Sequence, residues 1–105
     1  MDTDKITIEH IPAKALFRTV VDGVEAHVAY KSDGKSLDIR HTIVPEPIGG
    51  RGIASALVRA AYDYALANNL TPVATCSYAV IWLQRHPEYH GEIGKDYAGP
   101  NSCAL

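Results

Sequence analysis

Cysteine and long apolar runs are both scarce in this chain of 105 residues. Cys76 and Cys103 are its only cysteines, too few for the disulfide framework of a small secreted domain. The acidic start, Met1 to Asp4, lacks the basic and apolar regions of a signal peptide. No apolar run approaches the about 20 residues of a membrane-spanning helix. We therefore expect a protein of the reducing cytoplasm, without a membrane partner.

The chain also lacks an excess of either charge. Its basic residues form no run, and the formal net charge is -2, which argues against a nucleic-acid partner. His27 and His90 do not cluster with cysteines or carboxylates at metal-ligand spacing, so we expect no metal. The composition, 47% hydrophobic and 21% charged, is that of an ordinary globular protein. We expect a single domain over residues 1–90 and a weakly ordered tail over 91–105.

The first half of the chain predicts an antiparallel meander of strands. Val24 to Lys31 alternates apolar and polar residues, which is typical of a strand that is buried on one face. Asp22-Gly23 before it and Asp33-Gly34 after it are tight-turn signals. The predicted strands are a short one that ends before Pro12, followed by residues 15–21, 24–31 and 37–44.

The second half predicts two helices around one short strand. Apolar and small residues recur at helical spacing over residues 52–68. A strand at 72–76 follows. Because a helix between two strands usually makes a crossover, this strand is expected to lie parallel to the one before the helix. Ser77 is the predicted N-cap of a second helix over 78–85.

A glycine-rich turn, Gly49-Gly50-Arg51-Gly52, stands directly before the first helix. Glycines let a backbone approach a ligand closely, and the first amides of a helix have no internal partner. Together with the helix dipole, they favour a bound phosphate or pyrophosphate. A plain tight loop is the competing interpretation. A P-loop is excluded because Ile53 follows Gly52, where lysine is required.

Three further motifs follow one another along the chain: His41-Thr42, Cys76-Ser77-Tyr78 and His86-Pro87-Glu88-Tyr89. Together with the segment from Gly50 to Leu57, they resemble the GNAT acetyltransferase superfamily, and in particular its short single-domain branch. Gly49 departs from the pattern, since the family has Gln or Arg there. The resemblance extends over about residues 15–90.

The resemblance implies a mixed α+β fold: an antiparallel meander, a crossover helix and a final parallel strand. The fourth and fifth strands would splay apart and leave a slot for acetyl-CoA, the co-substrate. Main-chain groups of Ile43 and Val44 would bind the pantetheine arm, and an unidentified amine would accept the acetyl group. The pyrophosphate would be held by the amides of Gly49, Gly50, Arg51, Gly52, Ile53 and Ala54.

Cys76 and His41 are the candidate catalytic residues. Cys76 is predicted to follow a strand and precede a helix, whose N-terminus would favour a thiolate that acts as nucleophile or acid. A buried core cysteine is the alternative. His41 could take a proton from the amine, or could be a hydrogen-bonded structural histidine. Direct transfer and an acetyl-cysteine route both stay open.

Several residues around the second helix are assigned to CoA binding: Ser77, Arg85, His86 and Tyr89. Arg85, like Arg51, would pair with CoA phosphates or be a solvated surface residue, and His86 and Tyr89 would border the CoA arm or cap the helix. We expect a monomer or a weak homodimer. A different class of function also stays open, an acyl-CoA-binding or protein-interaction module without catalysis. The chain lacks the extra strands and loops that build an acceptor pocket in longer relatives.

Overall fold

The computed structural model describes residues 7–49 and 52–94, which form a six-stranded mixed sheet and two helices. The strands lie across the sheet in chain order. They are β1 (Glu9–Ile11), β2 (Leu16–Val21), β3 (Val24–Ser32), β4 (Ser36–Ile43), β5 (Thr71–Ala74) and β6 (Glu92–Ile93). Helix α1 (Ile53–Ala67) joins β4 to β5, and helix α2 (Ser77–Arg85) joins β5 to β6. The predicted mixed α+β class is confirmed.

The first four strands form the predicted antiparallel meander. The β2–β3 hairpin turns on Asp22 and Gly23, whose φ angles of 53° and 76° are those that a two-residue turn of this kind requires. At the next turn the Asp33 carboxylate accepts hydrogen bonds from the Lys35 and Ser36 amides, each at 2.9 Å. These backbone hydrogen bonds lower the pKa of Asp33. Turn chemistry therefore fixes the register of the meander.

Strand β5 lies parallel to β4, as predicted from the helix that separates them in the chain. Helix α1 makes the crossover and packs on β2, β3, β4 and β5. Its Tyr62 hydroxyl donates to the Val73 carbonyl at 2.7 Å, which ties the helix to β5. Burial, and then the negative charge of Asp38, raise the pKa of Tyr62 well above its ordinary value.

Both helices cover the same face of the sheet. The Trp82 ring of α2 lies 5.8 Å from the Tyr62 ring of α1. The opposite face carries Arg18, His27 and His41, and no helix of the described residues covers it. Neither helix is long and apolar enough to cross a membrane, and no three His, Cys, Asp or Glu side chains of the described residues gather as a metal site. The largest fully buried side chains are Tyr62, Leu37, Ile39, Ile48, Ile53, Leu57, Val28, Val58 and Cys76.

The start of α2 differs from the prediction by one residue. Cys76, not Ser77, is the N-cap, because Cys76 has an extended backbone (φ −71°, ψ 132°) and Ser77 is already helical. No side-chain cap hydrogen bond from the described part of the chain is present at this helix start. Strand β5 also ends early, at Ala74, because the chain leaves the sheet there to enter α2.

Strand β6 was not predicted. Glu92 and Ile93 pair in parallel with Val73 and Ala74 through the main chain, while both of their side chains are exposed. Without a buried face, the segment gave no alternating pattern. The expectation of a loose tail that begins at residue 91 is therefore wrong for residues 92–94. For 95–105, which lie outside the described residues, it stays a prediction.

Candidate functional site

The sheet opens where β4 and β5 part. Their parallel pairing ends at Ile39 and Ala74, and among the described residues the remainder of β4 pairs only with β3. The Thr75 and Cys76 amides both donate to the Ile39 carbonyl, at 3.0 and 3.1 Å, and the chain then turns away into α2. The strand pairing is therefore interrupted between the end of β4 and Cys76, and we call this place the slot. The predicted splay of the fourth and fifth strands is thus present.

The main chain at the end of β4 borders the slot. Ile43 pairs with His27 of β3, and Val44 packs against the core just beyond the strand. On the β5 side, this segment has no strand partner within the described residues. Main-chain groups without a strand partner are available to an extended ligand. Ile43 and Val44 therefore lie where the sequence expected them, and their contacts with a ligand stay a prediction.

Helix α1 begins without a side-chain cap from any described residue. Gly52 occupies the N-cap with a left-handed φ of 78°, a conformation that side-chain-bearing residues rarely adopt. The Gly52 carbonyl accepts the first hydrogen bond of the helix, at 3.0 Å, from the fourth residue after it. The amides of Ile53 and Ala54 therefore have no partner inside the helix. They and the helix dipole make this end suitable for an anion.

The rest of the glycine turn is described only at its first residue. The Gly49 amide donates to the Glu46 carbonyl at 3.0 Å, where a short 3₁₀ turn over Glu46–Ile48 ends. A ligand phosphate would have to replace that hydrogen bond to use the Gly49 amide. Gly50 and Arg51 lie outside the described residues, so their roles stay predictions.

A cleft of about 420 Å³ lies between α1 and α2. It brings together three residues that the sequence assigned to the ligand, namely Ser77, Arg85 and His86. The cleft is also lined by residues that the sequence predicts as packing residues or does not distinguish, namely Ser55, Tyr78, Ile81 and Trp82. Burial raises the pKa of Tyr78, so its hydroxyl stays protonated at neutral pH and can donate a hydrogen bond.

Trp82 is held in a fixed orientation within this cleft. Its indole N–H donates to the Ser55 hydroxyl at 3.0 Å, and its ring stacks on His86 with centroids 3.9 Å apart. The Arg59 guanidinium lies 5.5 Å from the Trp82 centroid. His86 Nδ1 is 2.8 Å from the Trp82 carbonyl oxygen. Because a carbonyl only accepts, Nδ1 carries a proton, and Nε2 of the neutral ring is left as an acceptor.

Tyr89 is separate from the cleft lining. Its side chain is buried, and its hydroxyl donates to Asp63 at 2.6 Å and accepts from Arg59 at 3.3 Å. Burial, and then the interaction with Asp63, raise the pKa of Tyr89. In this arrangement Tyr89 fastens the segment after α2 to α1. Its predicted contact with the CoA arm stays a prediction.

Cys76 stands between β5 and α2, as predicted, and is fully buried. Its sulfur lies 3.3 Å from the Thr42 hydroxyl oxygen across the slot. Cys76 is also disulfide-bonded, which corrects the expectation of a thiolate at this position. A disulfide sulfur has no proton to donate and is not the nucleophilic form. The other cysteine, Cys103, lies outside the described residues. A catalytic role for Cys76 therefore requires its reduced form.

His41 lies on the face of the sheet that no described helix covers, which we call the open face. It pairs with Ala29 of β3. A register shift beside it leaves Arg40 as the extra residue of a β-bulge. His41 Nδ1 is buried and has no hydrogen-bond partner among the described residues. A buried polar atom without a protein partner needs water or a ligand. The predicted role of the His41 imidazole in proton transfer stays a prediction.

The chain matches the family model described as GCN5-related N-acetyl-transferase over residues 16–92. This range runs from β2 to β6 and contains the slot, the start of α1 and the cleft. The chain therefore belongs to the GCN5-related N-acetyltransferase family, as its motifs predicted.

Individual relatives agree with this assignment. Protein NATD1 of Xenopus tropicalis is 32% identical over 88 residues, which span 81% of each chain. Protein NATD1 of Homo sapiens is 33% identical over 85 residues, 78% of this chain and 75% of the relative. A solution structure from Staphylococcus aureus, described as a "GCN5-like putative N-acetyltransferase", has a TM-score of 0.64 at 26% identity, and the match covers 89% of this chain and 93% of that one.

Proposed function

We propose that this protein is an acetyl-CoA-dependent N-acetyltransferase, which moves the acetyl group from the CoA thioester to an amine. The observation that carries the proposal is the slot, where β4 and β5 part next to Cys76. An extended pantetheine arm needs a gap with unpaired main-chain groups, and a pyrophosphate needs unpartnered amides such as those at the start of α1. Family membership supports the same co-substrate.

In this proposal acetyl-CoA is held by groups of three kinds. Main-chain groups of Ile43 and Val44 bind the pantetheine arm. Arg85 supplies positive charge to a phosphate, and Ser77 and His86 offer a hydroxyl and a ring nitrogen from the cleft. Tyr89 supports the wall behind them through Asp63 and Arg59. The pyrophosphate is bound by the amides of Gly49, Gly50, Arg51, Gly52, Ile53 and Ala54.

The acceptor amine attacks the thioester carbonyl carbon from the open face of the sheet. His41 takes the proton that the amine loses as the C–N bond forms. The C–S bond then breaks, and the departing CoA thiolate takes up a proton. A small-molecule or protein dithiol reductant first cleaves the disulfide and is itself oxidised, and the free Cys76 thiol then gives its proton to that thiolate. Alternatively, its thiolate attacks first, releases CoA and passes the acetyl group on to the amine. Both routes give the amide and CoA.

Two measurements test the proposal. Calorimetry should give a micromolar dissociation constant for CoA, about −8 kcal/mol. Incubation with acetyl-CoA and a panel of amines and peptides should release free thiol, and an acceptor-free sample is the control. The absence of heat and of a thermal shift at millimolar CoA contradicts the proposal.

A second candidate function is an acyl-CoA-binding module without catalysis. The observation that favours it is the open face of the sheet, where no described helix walls an acceptor pocket. CoA binding without thiol release for any acceptor would support this function. The cytoplasmic setting and a monomeric or weakly dimeric state belong to either proposal. Light scattering after size exclusion, with and without reductant, tests the oligomeric state.

A further inference from the structure

A side-chain hydrogen bond joins β4 to β5 just before the slot opens. The Thr75 hydroxyl donates to the Asp38 carboxylate, and its oxygen lies 2.8 and 2.9 Å from the two carboxylate oxygens. Asp38 precedes Ile39, the last residue of β4 that pairs with β5, and Thr75 follows the end of β5. We call this pair, Asp38 and Thr75, the clamp.

The clamp is largely shielded from water. Thr75 is 6% exposed, and the Asp38 side chain is 16% exposed. The Arg40 guanidinium lies 3.3 Å from Asp38 Oδ2 and offsets the carboxylate charge. A hydroxyl-to-carboxylate hydrogen bond is stronger in such surroundings than at an exposed surface. The clamp therefore constrains the two strands more tightly than a surface contact would.

A glycine of the segment after β6 covers the clamp. The Gly94 amide donates to the Ala74 carbonyl at 2.7 Å, which brings the Gly94 backbone against Thr75. A Cβ at residue 94 would overlap the Thr75 hydroxyl oxygen and would lie 3.3 Å from Asp38 Oδ2. A side chain at this position is therefore incompatible with the clamp.

We propose that Asp38 and Thr75 are positioning residues that set the width of the slot. The Thr75 and Cys76 amides share the Ile39 carbonyl, so the direction in which the chain leaves the sheet depends on where Thr75 is held. That direction places Cys76 and the start of α2 across from the end of β4. The inference rests on the proposed function, since it takes the pantetheine arm as the occupant of the slot.

The test compares two ligands by calorimetry: CoA, and 3′-phospho-ADP, which lacks the pantetheine arm. Thr75→Val and Asp38→Ala should raise the CoA dissociation constant about tenfold, equal to about 1.4 kcal/mol, and leave that of 3′-phospho-ADP unchanged. Thr75→Ser and Asp38→Asn keep a donor and an acceptor, so both should retain CoA affinity. Gly94→Ala should also weaken the binding of CoA and leave that of 3′-phospho-ADP unchanged. It replaces Thr75→Val in the test if that variant does not fold.

Tyr62→Phe is the matched control. It removes a different single hydrogen bond to β5, the one to Val73, and leaves the clamp in place. It should lower the thermal midpoint while CoA affinity stays unchanged. Clamp variants with wild-type CoA affinity, or with equal losses for both ligands, overturn the positioning role. Wild-type protein that binds neither ligand contradicts the proposed function itself, and the two failures are thereby distinct.

Discussion

At the β1 end of the sheet, His10 stacks on Phe17 with centroids 4.1 Å apart, and its Nε2 lies 2.6 Å from the Tyr30 hydroxyl oxygen. Tyr64 of α1 closes this aromatic cluster, its ring 4.5 Å from that of His10. Nearer the middle of the sheet, β4 and β5 part, α1 starts without a side-chain cap from a described residue, and His41 Nδ1 has no described partner.

The contrast shows that one region of the molecule stabilises the fold while another is available to a ligand. The aromatic cluster pairs polar atoms with each other and packs rings together, so it stabilises the fold. Around the slot, main-chain and ring atoms have no partners among the described residues, which costs stability unless a ligand or water meets them. Substitutions in the aromatic cluster and around the slot should therefore have different effects. The following experiments test this difference, from the largest expected effect to the smallest.

Phe17→Ala should produce the largest change in stability. Phe17 is 4% exposed, and it packs on the rings of His10, Tyr30 and Tyr64. Urea denaturation should show a loss of about 3–5 kcal/mol of unfolding free energy. The protein that remains folded should bind CoA normally. Ile81→Ala is the comparison variant in the cleft between α1 and α2, which Ile81 lines with a side chain that is 50% exposed. It should change stability by less than about 0.5 kcal/mol.

Gly52→Val should weaken CoA binding about 100-fold, or about 2.7 kcal/mol. A β-branched side chain is strained at a φ of 78° and would stand where the pyrophosphate approaches. Gly23→Val is the matched control, because Gly23 has a φ of 76° in the β2–β3 turn with nothing within 4 Å of an added Cβ. Both variants should lose about 1–2 kcal/mol of stability, and only the first should lose affinity. Equal CoA affinities would move the phosphate site away from α1.

Cys76→Ala should keep CoA affinity within about tenfold and lower acetyl transfer. With its sulfur in a disulfide, Cys76 should not react with iodoacetamide until a reductant is added. After reduction, the start of α2 should favour the thiolate, and bound CoA should slow its alkylation. Intact-mass spectrometry then separates the routes, since an added acetyl group on Cys76 indicates a covalent intermediate. Undiminished transfer by Cys76→Ala would leave His41 as the candidate catalytic residue.

The smallest effect concerns pH at the aromatic cluster. Burial lowers the pKa of His10 below its ordinary value of 6.5, so the unfolded chain binds a proton more readily than the folded one. Stability should therefore be complete above about pH 6.5 and fall as the pH drops below it. His10→Phe keeps the stack on Phe17 and should flatten this part of the profile. Urea midpoints from pH 5 to 8 measure it, and parallel profiles for both proteins would exclude His10 as the cause.

The sequence was most informative where side chains alternate or turn residues are specific. The alternation from Val24 to Lys31 and the Asp22-Gly23 turn predicted the meander, and helical spacing predicted α1 to within one residue at each end. Strand β6 could not be predicted in this way. Its two residues are held by main-chain hydrogen bonds, which leave no mark on side-chain composition.

The site was only partly predictable. The motifs of the family resemblance located the end of β4, the start of α1 and Cys76, and backbone geometry favours the residue present at Gly52, whose φ is 78°. Helical spacing predicts Trp82 as a packing residue, and its burial confirms this. Its role as a cleft wall depends on Ser55 and His86, which only the folded chain brings beside it. The clamp depends on contacts between residues 37 positions apart, and no local pattern marks such a pair.

Titration of ¹⁵N-labelled protein with CoA, followed by NMR, tests the central claim most directly. The claim is that the slot and the cleft between α1 and α2 bind the co-substrate, and that the aromatic cluster around His10 does not. We predict saturable amide shifts at Ile53, Ser77 and His86, at micromolar to millimolar CoA, and unchanged signals at Phe17 and Tyr30. Shifts centred on the aromatic cluster, or no shifts at millimolar CoA, would contradict the account.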